Sequence, residues 1–378
     1  MGRIFSRRSP ITPPTRAELD ALSAKERQEL IDARRQRPLQ TLTTLVTVAG
    51  VLLGVTFTGY GFTYTAQTLR ATQEGQITDR YTKAVEQLAS PATDVRLGAI
   101  YALQRTAKDS ERDRPPIRNL LTAFVRNHDF CSTKKPPKQC HKRSSKKFIT
   151  TPKTRLAADV YAALTTAQTL TASNDTPLDF SQIRFPNADL GDANLIRANL
   201  IRANLFGADL FDANLIQANL SGADLFGADL FDATLIQANL SYAHLSYAYL
   251  SYANLFGADL FGATLRDAKM NETDLGRAKL GRADLSRANL SYANLSDANL
   301  SLAHLFGADL FGAYLSRANL SYANLRDANL RGASLIGADL SHANLIGTDL
   351  RHADLRGVKG MTSEEIRAQA LTDADTKF

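Results

Sequence analysis

From residue 186 to residue 355 the chain repeats one five-residue unit 34 times without an insertion. The unit reads x-x-Ala-Asn/Asp-Leu. Its last position is Leu from Leu190 to Leu355 apart from Met270, and the position two earlier is Ala apart from Thr273 and Thr348. A period of five fits neither an amphipathic helix, which needs apolar residues about every 3.6 positions, nor a half-buried strand, which needs them at every second one. Ala and Leu, two apart, point the same way from a short extended segment. The following pair then turns the chain through a corner, and four such sides close a coil of about twenty residues. Each coil buries its apolar face only by stacking on its neighbours.

The Ala/Leu unit resembles the repeat of the pentapeptide-repeat family. The resemblance implies a mainly β fold, a right-handed quadrilateral β-helix with the small residue and the Leu both inside, over residues 178–358. Degenerate units ending at Phe180 and Phe185 add to the array. With adjacent coils ~4.8 Å apart, roughly nine coils make a rod about 40 Å long. The open edges of its end coils need covering. Residues 359–378 offer a capping box, Thr362-Ser363-Glu364-Glu365, ahead of a short helix through Leu371. Residues 154–172 have helix-forming composition, with Leu156, Val160, Leu164 and Leu170 available for docking.

Ahead of the repeats, residues 1–37 form a polar, basic tail, and residues 38–69 carry no charge. Their apolar centre runs from Leu45 to Phe62, long enough for a transmembrane helix, since about 20 residues span a ~30 Å hydrocarbon layer. Lys25, Arg27, Arg34, Arg35 and Arg37 precede the span, against Arg70, Arg80 and Lys83 after it. The positive-inside rule therefore favours a cytoplasmic N-terminus and an outward-facing rod. The long polar lead argues against a cleaved signal peptide. Gly50 and Gly54 form a Gly-x-x-x-Gly step at which two anchors could pair.

Residues 70–129 read as a small α-helical module. Glu74 to Leu88, Asp94 to Lys108 and Pro116 to His128 each carry an apolar stripe. The segment with "GQITDRYTKAVEQL", "DVRLGAIYAL" and "LLTAFVR" resembles a module that precedes the repeats in membrane-anchored bacterial pentapeptide-repeat proteins, which implies architecture and no activity. Residues 130–153 are a basic linker containing Lys134, Lys135, Lys138, Lys142, Arg143, Lys146 and Lys147, and are read as solvated chain. A disulfide between Cys131 and Cys140 is open if the linker lies outside the cell, and free thiols if it lies inside. His128, Cys131, Cys140 and His141 have the residue types of a zinc site, but adjacent Cys140 and His141 suit tetrahedral ligation poorly, so no metal is expected.

Residues twenty apart should stack on one face. Asp209, Asp212, Asp229 and Asp232 then form an acidic stripe beside ladders of Ile196, Ile216 and Ile236, of Phe206 with Phe226, and of Phe211 with Phe231. These eleven residues are the candidate partner surface. A DNA-mimicking inhibitor or protector of a type II topoisomerase, the function of some pentapeptide-repeat proteins, is the alternative reading. It requires uniform negative charge, whereas residues 181–356 hold 18 Asp/Glu and 14 Lys/Arg. The six histidines have no evident nucleophile or acid partner, and no phosphate loop or nucleophile elbow is present. The expected function is non-catalytic: a membrane-anchored scaffold for an unknown protein, with no cofactor. A homodimer through anchor or rod is a further expectation, and direct nucleic-acid binding is not expected.

Overall fold

The computed structural model describes residues 15–132, 140, 153–170 and 177–378, leaving aside the side chains of residues 18–19 and 33–41. The lysine-rich run from Lys134 to Lys147, with His141, lies outside the described residues. The chain divides into two units, Met1–Gln76 and Ile77–Phe378.

The first unit holds α1 (Arg16–Asp20) and most of α2 (Ala24–Leu88). Ser23 starts α2 as a capping residue: its Oγ accepts from the Glu26 N–H and the Glu26 carboxylate accepts from the Ser23 N–H at 2.8 Å. From Leu42 onward α2 is long and apolar enough to cross a membrane. Its apolar side chains are bare, Leu45, Leu53 and Phe57 among them. The threonines that dilute this stretch bond back into the helix: Thr47 donates to the Thr43 carbonyl at 2.8 Å, Thr58 to Gly54 at 2.7 Å and Thr65 to Gly61 at 2.7 Å. Their hydroxyls therefore add no unsatisfied polar group to the surface.

At the end of α2 the sequence reading needs correcting. Glu74 to Leu88 is not a separate helix, since α2 runs through it to Leu88. No Gly, Pro or capping signal interrupts that stretch after Gly75, so nothing stops the helix there. Ala84 and Leu88 at its end join a core with α3 (Thr93–Asp109), α4 (Arg114–Asn127) and α5 (Ala158–Thr169). Arg96 on α3 meets Asp159 on α5 at 2.7 Å, with the carboxylate almost wholly buried.

The core continues without a break into the repeat array. β-Bridges join every fourth residue of the unit to its equivalent twenty residues on, as in Asp189 to Asp209 to Asp229 and Asn194 to Asn214 to Thr234. One turn of the coil is thus four units. The unit ending at Leu220 shows how its five backbone N–H groups are placed. Ile216 N–H donates to Asn214 Oδ1 at 3.3 Å. Gln217 N–H donates to Ile236 O in the next coil at 2.9 Å, and Ala218 N–H closes the turn onto Leu215 O at 2.9 Å. Asn219 N–H reaches back to Ala198 O at 2.9 Å, and Leu220 N–H reaches forward to Asn239 O at 2.7 Å. The preference for Asn or Asp at the fourth position follows, because a short side-chain oxygen there caps the N–H two residues on.

The second turn residue sits in the left-handed region throughout, for example Gln217 at φ 56° and Arg317 at φ 58°. An isolated residue with a Cβ loses about 1–2 kcal/mol there; the stacked hydrogen bonds on both sides hold it in place. Inside, the Ala and Leu rows from Ala198 to Leu340 are essentially solvent-free. Met270 takes a Leu position, and the two Thr exceptions are satisfied: Thr273 donates to Leu250 O and Thr348 to Leu325 O, each at 2.8 Å.

Both ends of the array are covered. Thr154 pairs with Ala188 as an added strand, its N–H donating to Asn187 O at 2.7 Å. Buried Asp129, just past α4, accepts from Arg184 Nε at 2.8 Å and Nη2 at 3.1 Å, and Phe130 packs edge-on against Phe185. At the other end α6 (Ser363–Gln369) begins with a capping box between Thr362 and Glu365 and buries Ile366. The last residues then return to the coil, with Leu371 paired to Asp349 and Lys377 to Asp354.

Asn299→Ala should lower the unfolding free energy by about 1 kcal/mol, because Ser301 N–H loses its acceptor at 3.0 Å. Leu300→Ala, at a fully buried position, should lower it by about 2–5 kcal/mol. Urea unfolding of the detergent-solubilised chain, followed by circular dichroism, checks both. Equal losses, or none for Asn299→Ala, would contradict the placement of the backbone donors.

Candidate interaction surface

Because Ala and Leu fill the interior, only the two turn residues and the fourth position of each unit reach the outside. The surface is therefore a set of ladders one coil apart. Phe211 and Phe231 stack at 5.8 Å between centroids, nearly parallel, and remain exposed. Tyr252 continues their corner, 5.3 Å from Phe231. At the next corner Ile196 and Phe256 are exposed, with Ile216 and Ile236 half-buried between them. The side that joins the two corners presents Asn194, Asn214 and Thr234.

Phe206 and Phe226 are a correction to the sequence reading. They stack at 5.7 Å, but both are buried, and His244 and Tyr247 also pack on Phe226. They belong to the packed structure and offer no partner surface. The acidic stripe also divides by role. Asp209 and Asp229 spend an oxygen on turns, accepting from Phe211 N–H at 3.1 Å and Phe231 N–H at 3.2 Å. Asp212 and Asp232 are left-handed turn residues whose carboxylates are exposed.

Charge is handled differently in the two halves of the array. Residues 181–260 hold eight Asp/Glu and three Lys/Arg, whereas residues 261–356 hold ten and eleven. In the C-terminal coils six of these ten acids meet an arginine, some along the ladders and some between near neighbours in the chain. Arg287 makes a two-pronged pair with Asp267 at 2.9 and 2.8 Å, and Arg317 with Asp297 at 2.6 and 2.8 Å. Arg351 pairs with Asp349, Arg356 with Asp354 and Arg266 with Asp284. Lys269 lies over Tyr249, and Arg277 over Phe256. Among the described residues Asp192, Asp212 and Asp232 make no ion pair.

Hydrogen bonds from Arg317, Arg351 and Arg356 hold Asp297, Asp349 and Asp354 below the ordinary carboxylate range, against a smaller upward push from burial. For Asp284 burial is the largest influence and pushes upward, but the bonds from Ser286 and Arg266 outweigh it.

Two glycines that sequence reasoning passed over are seats for aromatic rings. A Cβ on Gly262 would lie 2.8 Å from the Tyr242 ring, and one on Gly312 would lie 2.7 Å from Tyr292. Each tyrosine meets a Phe edge-on, Phe261 and Phe311 respectively. The signal was present as a Tyr followed nineteen and twenty residues later by Phe-Gly.

Cys131 and Cys140 are joined as a disulfide, and Cys131 Sγ lies 3.8 Å from Arg184 O in the first coils. His352, Asp373 and Asp375 offer the one His/acid grouping of metal-ligand type among the described residues. There the His352 N–H donates to Asp373 Oδ1 at 3.1 Å and the ring faces both carboxylates, so the trio fastens the C-terminal tail to the last coil. An open groove of about 550 Å³ is lined by Glu272, Thr273, Asp274, Tyr292, Asn294 and Tyr314.

The family model for pentapeptide repeats matches in eight overlapping copies that run from residue 179 to residue 359. The chain belongs to the pentapeptide-repeat family. Among solved structures it is similar to HetL, a pentapeptide repeat protein involved in heterocyst differentiation regulation in the cyanobacterium Nostoc sp. strain PCC 7120. That match is 36% identical, over 53% of this chain and 86% of that one, with a TM-score of 0.37. QnrB1, a plasmid-mediated fluoroquinolone resistance protein, is 20% identical over 48% of this chain and 92% of its own, with a TM-score of 0.27. A pentapeptide repeat protein from the Arabidopsis thaliana thylakoid lumen is 26% identical over 39% and 87%, with a TM-score of 0.15. No curated protein matches the chain.

Phe211→Ser and Phe231→Ser should leave the melting temperature nearly unchanged, while Phe226→Ser should lower it, since only the last ring is buried. Differential scanning calorimetry distinguishes them; equal losses would mean that the exposed stack is structural. Carboxylates with lowered pKa contribute stability that is complete above the ordinary Asp value of about 3.9 and is lost as pH falls through the lowered values. The melting temperature should therefore fall below about pH 4. Arg317→Gln should reduce that dependence, which melting curves across a pH series would show.

Proposed function

We propose that this pentapeptide-repeat protein is a single-span, membrane-anchored bacterial scaffold whose repeat array binds a protein partner without catalysis. The observation that carries the reading is the outer face of the N-terminal coils. Phe211, Phe231 and Ile196 stay exposed there beside Asp212 and Asp232, in an array that elsewhere pairs acids such as Asp267 and Asp297 with arginines and whose interior is already full. Exposed apolar groups clustered next to polar ones mark interaction sites more often than chance.

The anchor is supported by the bare apolar length of α2 and by its internally bonded threonines. The disulfide between Cys131 and Cys140 supports the outward orientation, because such bonds persist in oxidising compartments. It agrees with the excess of basic residues before the span. A DNA-mimicking topoisomerase modulator is disfavoured by the same coils that make the array stable. The Asp267–Arg287 and Asp297–Arg317 pairs interrupt any continuous negative track.

Topology tests this first. Intact cells are treated with a mild reductant and a membrane-impermeant maleimide, and labelling of Cys131 and Cys140 is compared with that in lysed cells. Labelling in intact cells is expected. Protection until lysis would place the array in the cytoplasm and overturn the orientation.

A further inference from the structure

We propose that the exposed apolar face of the N-terminal coils receives a cationic amphipathic helix, laid along the axis of the array. The proposal rests on the reading of that face as a protein-binding surface and deepens it by naming the partner's chemistry.

Two apolar rows border one side of the coil: Phe211 and Phe231 at one corner, and Ile216 and Ile236 with exposed Phe256 at the next. On this proposal the two rows border a shallow trough whose floor is the Asn194, Asn214 and Thr234 ladder that lies between them. Successive residues in each row are one coil apart, ~4.8 Å. An α-helix advances ~5.4 Å per turn, so a helix lying in the trough presents one apolar side chain per coil. The mismatch accumulates to only about 2 Å over three coils, within the reach of Leu or Met side chains. A partner stripe at i, i+3/i+4 and i+7 is the pattern that such a trough accepts.

Charge selects among the occupants. The Phe row shares its corner with Asp212 and Asp232, which are exposed and make no ion pair among the described residues. Like charges stacked one coil apart are unfavourable, whereas Asp267 and Asp297 in the C-terminal coils each have an arginine, Arg287 and Arg317, one coil on. A basic flank on the partner would supply that relief in trans and steer its approach. A second copy of this face carries the same acidic row, and an anionic bilayer carries the same sign, so both are repelled.

The test pans a phage-displayed library of sixteen-residue, helix-favouring peptides against the full chain in zwitterionic nanodiscs. Selected peptides should show an apolar stripe flanked by Lys or Arg. Their affinity should fall at least tenfold on Asp212→Lys with Asp232→Lys, and likewise on Phe211→Ser with Phe231→Ser, with melting curves unchanged. Peptides that depend on the Phe pair but are acidic or neutral, and indifferent to the charge reversal, would overturn the cationic partner and leave the face as a docking surface. No selected peptides, or binding indifferent to both double variants, would overturn the docking surface as well. A photo-crosslinking residue in place of Gln217, on the rim of the trough, reports the same contact without altering either row, and absence of crosslinks there would count against the proposal.

Discussion

Five backbone N–H groups have to be satisfied in every five-residue unit, and no unit contains enough regular structure to do this alone. The coil meets the requirement by sharing. One donor goes to the side chain of the preceding Asn or Asp, one closes the local turn, one reaches the coil below and two reach the coil above. A buried unpaired donor costs about 1–3 kcal/mol, so a missing neighbour leaves several such debts at once. This is why the array is covered at both ends, by Thr154 and the helices before it and by α6 and the returning tail. It is also why residues as large as Arg317 and Tyr292 are held at positive φ.

That economy leaves function a narrow place. Ala and Leu are consumed by the interior, and many fourth-position Asn and Asp residues by the turns. What remains variable is the pair of corner residues. In the C-terminal coils these corners are used for stability, with arginines bridging Asp267 and Asp297 and tyrosines lying over Gly262 and Gly312. In the N-terminal coils they carry exposed Phe and, in Asp212 and Asp232, carboxylates with no ion pair among the described residues, at some cost in repulsion between stacked carboxylates. Exposed apolar corners such as Phe306 and Ile346 occur in the C-terminal half as well, so it is the contrast in ion pairing between two halves built from one unit that supports the proposed function. It is independent of any similarity to HetL or QnrB1.

Much of the fold was legible because the repeat is strict. The apolar Ala and Leu positions, the twenty-residue stacking distance and the Thr362–Glu365 cap were all visible in the residue order. The candidate surface was legible only in part. Phe206 and Phe211 are five residues apart in equivalent positions, yet the first is buried and the second exposed. Their units differ only at the second and fourth positions, Gly207 and Asp209 against Asp212 and Asn214, and burial of a corner depends on what lies beside that side of the coil. The continuity of α2 through Glu74 to Leu88 escaped for the opposite reason: a change of composition was read as a change of element, and no stop signal was there.

The sequence by itself determined the period, the interior and the need for caps, since these follow from residue type at fixed spacing. It also determined that residues 38–69 carry no charge and centre on an apolar stretch from Leu45 to Phe62. The tertiary structure alone decided which corners stay open, which carboxylates find an arginine and which glycines carry a ring. Most of those outcomes are set by a neighbour about twenty residues away in the next coil, or by the elements that close the ends; Arg351 with Asp349 and Arg356 with Asp354, two residues apart, are local exceptions. The Ala and Leu positions that repeat every five residues are the same beside every corner, and so they hold no record of which side each corner faces.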